Sequence, residues 1–204
     1  MDSRDWDARY AEADLVWSAE PNVFVVETTA DLRPGRALDV AAGEGRNALW
    51  LADRGWDVTI VDFSAVAVGR AEQLWASRTL HRGSLTGQVG DATEGPWPSA
   101  DFDLVVIAYL HLPLPQRRSV LLHSARAVAP GGHLVVVAHH TDNLTEGYGG
   151  PQNPSLLYAP TDVVADLEGT GMAVVRSEAV TRPVDTDDGP RQAMDALVVM
   201  ARPA

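Results

Sequence analysis

Residues 37–62, ALDVAAGEGRNALWLADRGWDVTIVD, alternate apolar runs with a turn of very small side chains, in the order strand, glycine turn, helix, strand. Ala37, Leu38 and Val40 predict the first strand, and Ala41, Ala42, Gly43 and Gly45 make the turn. Ala48, Leu51 and Ala52 then recur at helical spacing until Gly55 stops the helix. Val58, Ile60 and Val61 form a second strand that finishes on Asp62. A unit this short predicts a parallel pair with a right-handed crossover. Glycines let backbone approach a ligand closely, and the free N–H groups at the helix start lie nearby. A carboxylate closing the neighbouring strand can accept hydrogen bonds from both hydroxyls of a ribose. The stretch is therefore expected to hold a nucleotide-like ligand.

The whole chain has the composition of one α/β domain. It has 204 residues, 46% apolar and 22% charged, enough to bury a sizeable core and too apolar for disorder. No apolar run approaches the length of a membrane span, and the N-terminus MDSRDWDARY carries no signal-peptide core, so a soluble, cytoplasmic protein with no membrane partner is expected. Zero cysteines exclude disulfides, thiolate metal sites and cysteine nucleophiles together. A formal charge of −12 disfavours a nucleic-acid partner, and the pair Arg117 and Arg118 is too small a patch to reverse this.

Around the opening unit the pattern continues as an alternating series. Trp6 and Tyr10 suggest a short helix over 2–14, and Val23, Val26 and Ala30 a second one. Ser64 caps a helix with Val68, Ala71 and Trp75 on one face. Strands are expected at 84–90, at 102–108 (FDLVVIA, buried on both faces) and at 133–138. The intervening helix opens after Pro113 and Pro115, carries Leu121, Ala125 and Val128 as its stripe, and ends at APGG, 129–132. Residues 141–160 show no period and read as one long loop, after which Thr161 caps a further helix. The last strands, 173–180 and 194–201, are joined by a segment broken by Pro183, Gly189 and Pro190, which leaves no room for a crossover and predicts an antiparallel hairpin.

Two ligand classes use such a turn. GEGRNA, 43–48, formally fits the dinucleotide fingerprint. Asp39 at the strand end, Gly43, Gly45 and then Asp62 also fit the pattern for S-adenosylmethionine. On these residues and on Gly90-Asp91-Ala92, the chain resembles class I S-adenosylmethionine-dependent methyltransferases, and AAGEGRNALWLADRGWDVTIVDFS looks closest to the tellurite-resistance and thiopurine-methyltransferase-like branch. Ala41 stands where the family commonly has its first glycine. The resemblance implies a Rossmann-like three-layer sandwich with a seven-stranded, mostly parallel sheet closed by the antiparallel hairpin. It also implies one domain over 1–204, with a helical cover over 1–34 and the core over 35–204. The cofactor would be S-adenosyl-L-methionine and the product S-adenosyl-L-homocysteine. Asp62 would hold the ribose, Phe63 would flank the adenine, and Asp91 with Ala92 would meet its amine. Asp39, Ala41, Gly43, Gly45 and Ala108 would surround the methionine end, with Arg46 or Arg9 for its carboxylate and Trp17 in the cover.

The rim past strands four and five is then left for a small-molecule acceptor. Tyr109, His111, His139, Tyr148 and Asn153 are its candidate contacts, and His111 or His139 is either a general base or a shaper of the pocket. No metal is expected, because His139 and His140 are adjacent on a strand and point to opposite faces. The acceptor atom stays open among S, Se, Te, N and O. An NAD-dependent oxidoreductase and a non-enzymatic S-adenosylmethionine-binding regulator are the alternatives.

Overall fold

A computed structural model describes residues 3–12, 20–95, 97–186 and 188–204. Seven strands form one sheet in the order β3-β2-β1-β4-β5-β7-β6. They are β1 (Arg36–Val40), β2 (Asp57–Asp62), β3 (Ser84–Val89), β4 (Phe102–Ala108), β5 (Val128–His139), β6 (Ala173–Val184) and β7 (Arg191–Ala201). The first five run parallel, and β7 lies antiparallel between β5 and β6. This is the Rossmann-like sheet with the C-terminal hairpin expected from the sequence.

The helices are α1 (Ser3–Glu12), α2 (Val23–Thr29), α3 (Arg46–Asp53), α4 (Ala65–Ala76), α5 (Leu114–Ala127), α6 (Asn143–Glu146) and α7 (Pro160–Asp166). Successive side chains of a strand face opposite ways, so a central strand covered on both sides must be apolar at every position. Leu38, Val40, Val105, Ile107, Leu134 and Val136 accordingly join one core with Leu121 and Ala125 of α5 and Val163 of α7. Ala37, Leu104, Val106, Val135 and Val137 face the other way, against Val25, Leu51 and Val68 of α2, α3 and α4. After β1 the chain steps outward to β2 and β3, then returns to place β4 on the other side of β1. The carboxyl ends of β1 and β4 therefore flank the point where strand order reverses, where open sheets of this kind bind ligands. Among the described residues, no helix is long and apolar enough to cross a membrane.

Three local expectations need correction. Val128 does not belong to the helical stripe: its extended backbone (φ −66°, ψ 126°) ends α5 and opens β5 opposite Phe102. The APGG segment is thus inside β5, where the pairing register shifts between Phe102 and Leu104. Thr161 is not the cap of α7, because Pro160 already occupies its first turn and the Asp162 carboxylate accepts the Ala159 N–H at 2.8 Å. Residues 141–160 are not structureless: they contain α6 and a 3-10 turn, Pro154–Leu156.

Candidate active site

A cleft of about 1660 Å³ opens over the carboxyl ends of β1, β2 and β4. Its floor is the glycine turn. Ala41, Gly43 and Gly45 have φ of 55°, 55° and 74°, so the backbone is left-handed three times in five residues. Alanine tolerates this at a cost of about 1–2 kcal/mol. Gly45 has a second constraint, since a Cβ there would stand 2.9 Å from the Cβ of Ala71. Side chains hold the turn in place. Asp62 Oδ2 accepts the Gly43 N–H at 2.8 Å and its Oδ1 accepts the Ser64 N–H at 2.9 Å. Burial raises the Asp62 pKa, and these two bonds oppose the rise. Glu44 is buried and paired with Arg70 at 2.9 Å, which ties the turn to α4.

Asp39 lines the same cleft at the end of β1. Burial pushes its carboxyl up to about 7 against the Ala48 N–H and the nearby Arg46, and its Oδ2 is buried without a hydrogen-bond partner. Arg46, at the start of α3, also lines the cleft, and burial lowers its pKa. An orphaned carboxylate oxygen beside a guanidinium fits the ammonium and carboxylate of an amino acid, and a pyrophosphate has no use for the first of these. Phe63, Asp91, Ala92 and Ala108 line the cleft as well, with Arg9 of α1 at its mouth. Asp91 is exposed and also closes its own turn, since Oδ1 accepts both the N–H and the hydroxyl of Thr93 at 2.8 Å. Trp17 lies outside the described residues.

Of the five residues named for the rim, Tyr109, His111, His139 and Tyr148 line the cleft. His111 donates from Nδ1 to the Leu156 carbonyl at 3.0 Å, which fixes the tautomer and leaves Nε2 as a lone pair, buried without a partner. Burial lowers its pKa to about 4. The ring stacks on His139 with centroids 5.3 Å apart. Tyr109 and the exposed Tyr148 complete the wall with Leu110, Leu112 and Leu156. Asn153 is the exception: it is exposed, does not line the cleft, and spends its Oδ1 on the N–H and hydroxyl of Ser155 as cap of the 3-10 turn. No cluster of metal-binding side chains occurs among the described residues.

Residues 37–132 match the family model described as a methyltransferase domain. The expectation of a methyltransferase is borne out at the level of that domain. A probable chloroplastic tocopherol O-methyltransferase of Oryza sativa subsp. japonica is 31% identical over 70% of this chain and 38% of its own length. A demethylmenaquinone methyltransferase of Beutenbergia cavernae is 36% identical over 53% of this chain and 43% of its own. The chain thus spans about two-fifths of the length of these curated relatives. Among solved structures, TehB from Haemophilus influenzae superposes with a TM-score of 0.73 over 97% of this chain and 66% of its own, at 18% identity, which supports the fold alone.

Four side chains of the site carry no motif in the sequence. Asn22 caps α2, donates its N–H to Asn47 Oδ1 at 2.8 Å, and donates from Nδ2 to the Tyr109 hydroxyl at 3.0 Å. That hydroxyl donates to Asp195 Oδ2 and accepts from Arg182 Nε, both at 2.7 Å. Asp195, fully buried on β7, has its Oδ1 3.3 Å from His139 Nδ1, without the alignment of a hydrogen bond. Burial works against its ionisation, yet His139, Tyr109 and Arg182 together hold its carboxyl below the ordinary value. Tyr109 itself is left-handed, φ 60°, at the exit of β4. The one available signal was Asp195, a lone carboxylate inside the apolar run of β7.

Proposed function

We propose that the protein is a single-domain methyltransferase that moves a methyl group from S-adenosylmethionine to a small-molecule acceptor. The observation that carries this reading is the unpartnered, buried Asp39 Oδ2 beside Arg46, in a cleft whose other end holds Asp62, Phe63 and Asp91. When bound, S-adenosylmethionine supplies a methyl group already activated by a sulfonium. The chain's task is to position and to exclude water, and alignment alone contributes several kcal/mol. Asp39 takes the ammonium, Arg46 the carboxylate, Asp62 the ribose and Asp91 the adenine amine. Arg9 of α1 and Asn22, the cap of α2, line the cleft wall.

His111 is neutral at physiological pH, and its free Nε2 accepts a hydrogen bond from a protic acceptor. A group with so low a pKa orients the attacking atom rather than storing its proton. Leu110, Leu112, Leu156 and Tyr148 form an apolar wall, which suits an organic acceptor better than a bare tellurite or selenite ion. The tellurite-resistance likeness therefore extends, on this reading, to the fold and the cofactor side.

Titration calorimetry tests the reading. S-adenosylmethionine and S-adenosylhomocysteine are expected to bind saturably and NAD not at all. NAD binding without a response to S-adenosylhomocysteine would reject it. An acceptor screen with tritiated S-adenosylmethionine then identifies the methylated atom.

A further inference from the structure

Arg182 reaches the cleft from an unexpected direction. It sits near the end of β6, at the sheet edge opposite β3, and lines the cleft wall together with Pro183 and Val184. Its Nε is shared between the Tyr109 hydroxyl and Asp195 Oδ2, each at 2.7 Å. Asp195 has no exposure at all, so this edge of the guanidinium is fixed from below. The two Nη groups have no hydrogen-bond partner among the described residues. A planar fork held by one edge and open at the other matches a carboxylate, which accepts two parallel N–H bonds.

We propose that Arg182 binds a carboxylate on the methyl acceptor, so that preferred acceptors combine an apolar body with one carboxylate; the proposal rests on the methyltransferase reading. Arg46 does not serve this purpose, because it stands on the glycine-turn side next to Asp39, whereas Arg182 approaches across Tyr109 from the hairpin. Both guanidinium carbons lie near the Tyr109 ring, 5.8 Å and 5.3 Å from its centroid, and the two cations are close enough that Arg182 lowers the Arg46 pKa. Neutralising Asp195 does not require the second edge of Arg182, since Nε alone makes that pair. The acceptor's body would lie along Leu110, Leu112 and Leu156, beside the free Nε2 of His111. Asp195 and Tyr109 are positioning residues here, acting through Arg182.

The test uses two matched pairs of probes, 4-hydroxybenzoate against 4-hydroxybenzyl alcohol and 3-mercaptopropionate against 3-mercaptopropanol. Their affinities are measured by ligand-detected NMR, with and without saturating S-adenosylhomocysteine, for the parent, Arg182→Gln and Arg182→Lys. In the parent at least one carboxylate is expected to bind about tenfold more tightly than its neutral mate, as a bidentate charged pair should. Arg182→Gln should abolish that preference. Arg182→Lys keeps a cation opposite Asp195, protecting the fold, and should reduce the preference to about threefold because the fork is gone. S-adenosylhomocysteine affinity should stay within about twofold throughout. No carboxylate preference in the parent, or a preference that survives in both variants, overturns the proposal. So does a large loss of S-adenosylhomocysteine affinity in Arg182→Gln, which would assign Arg182 to the cofactor. Failure of the parent to bind S-adenosylhomocysteine rejects the methyltransferase reading instead, and the titrations without it still report on Arg182.

Discussion

Asp39 and His111 titrate in opposite senses, and each leaves its own mark on stability. The Asp39 pKa in the fold, about 7, is raised from 3.8, so its contribution is fully present below about pH 4 and is lost as pH rises through 7. Asp39→Asn removes that loss. It should stabilise the ligand-free protein at pH 8 by on the order of 2 kcal/mol and change little at pH 4, while weakening S-adenosylhomocysteine binding. Urea unfolding of both proteins at pH 4, 6 and 8 checks this; a variant that gains nothing at pH 8 contradicts a buried charge. For His111 the folded pKa, about 4, is below 6.5, so its contribution is present above pH 6.5 and lost as pH falls through 4. The ring is therefore neutral throughout pH 5 to 8, and the kcat/KM profile should show no limb from it there. His111→Ala should lower kcat/KM for phenols and thiols by about tenfold to a hundredfold, with cofactor affinity nearly unchanged. A limb near pH 6.5 that disappears in His111→Ala would show a ring that titrates freely.

Among the elements, the segment between β5 and α7 depends most on one buried side chain. Asn143 donates from Nδ2 to the Gly149 carbonyl at 2.9 Å and accepts the Met194 N–H at 2.7 Å, so it ties the rim to β7. Gly150 then lies against His139, where a Cβ would come within 2.6 Å of Cδ2. Asn143→Ala strands two backbone groups and should cost about 1–3 kcal/mol. Acceptor KM should rise while S-adenosylhomocysteine affinity holds, and equal losses in both would show that the segment serves the cofactor instead. This anchor was not legible in the sequence, because Asn143 looks like any polar loop residue until Met194 is known to be its neighbour. The strand, turn and helix of 37–62 were legible, because apolar period and small-residue turns are local properties. So was the antiparallel end of the sheet, from the length and prolines of its connection. Val128 was misread because its spacing suits a helical stripe while its β-branched side chain equally suits the strand that claimed it. Arg182 and Asp195 meet Tyr109 from far along the chain, and no spacing encodes that.

At the scale of the molecule, the order of strands in space differs from their order in time. β7 follows β6 in the chain, yet it is not the edge; it stands between β5 and β6. β5 ends at His139 and β7 begins at Arg191, so at roughly 5–20 residues per second the ribosome exposes the apolar LVVVA edge of β5 for several seconds before its partner emerges. Nascent chains arrested at residue 185 should therefore recruit a holdase or aggregate, and full-length chains should not; equal protease resistance of the two would show that β6 shields β5 in the interval. The same arrangement means that a prematurely terminated chain includes the glycine turn at 41–45 and lacks Asp195. Such a fragment carries Tyr109 and Arg182 but not the buried carboxylate that holds them together, so the completeness of the message, as well as the folding of the product, decides whether the cleft wall is ever finished.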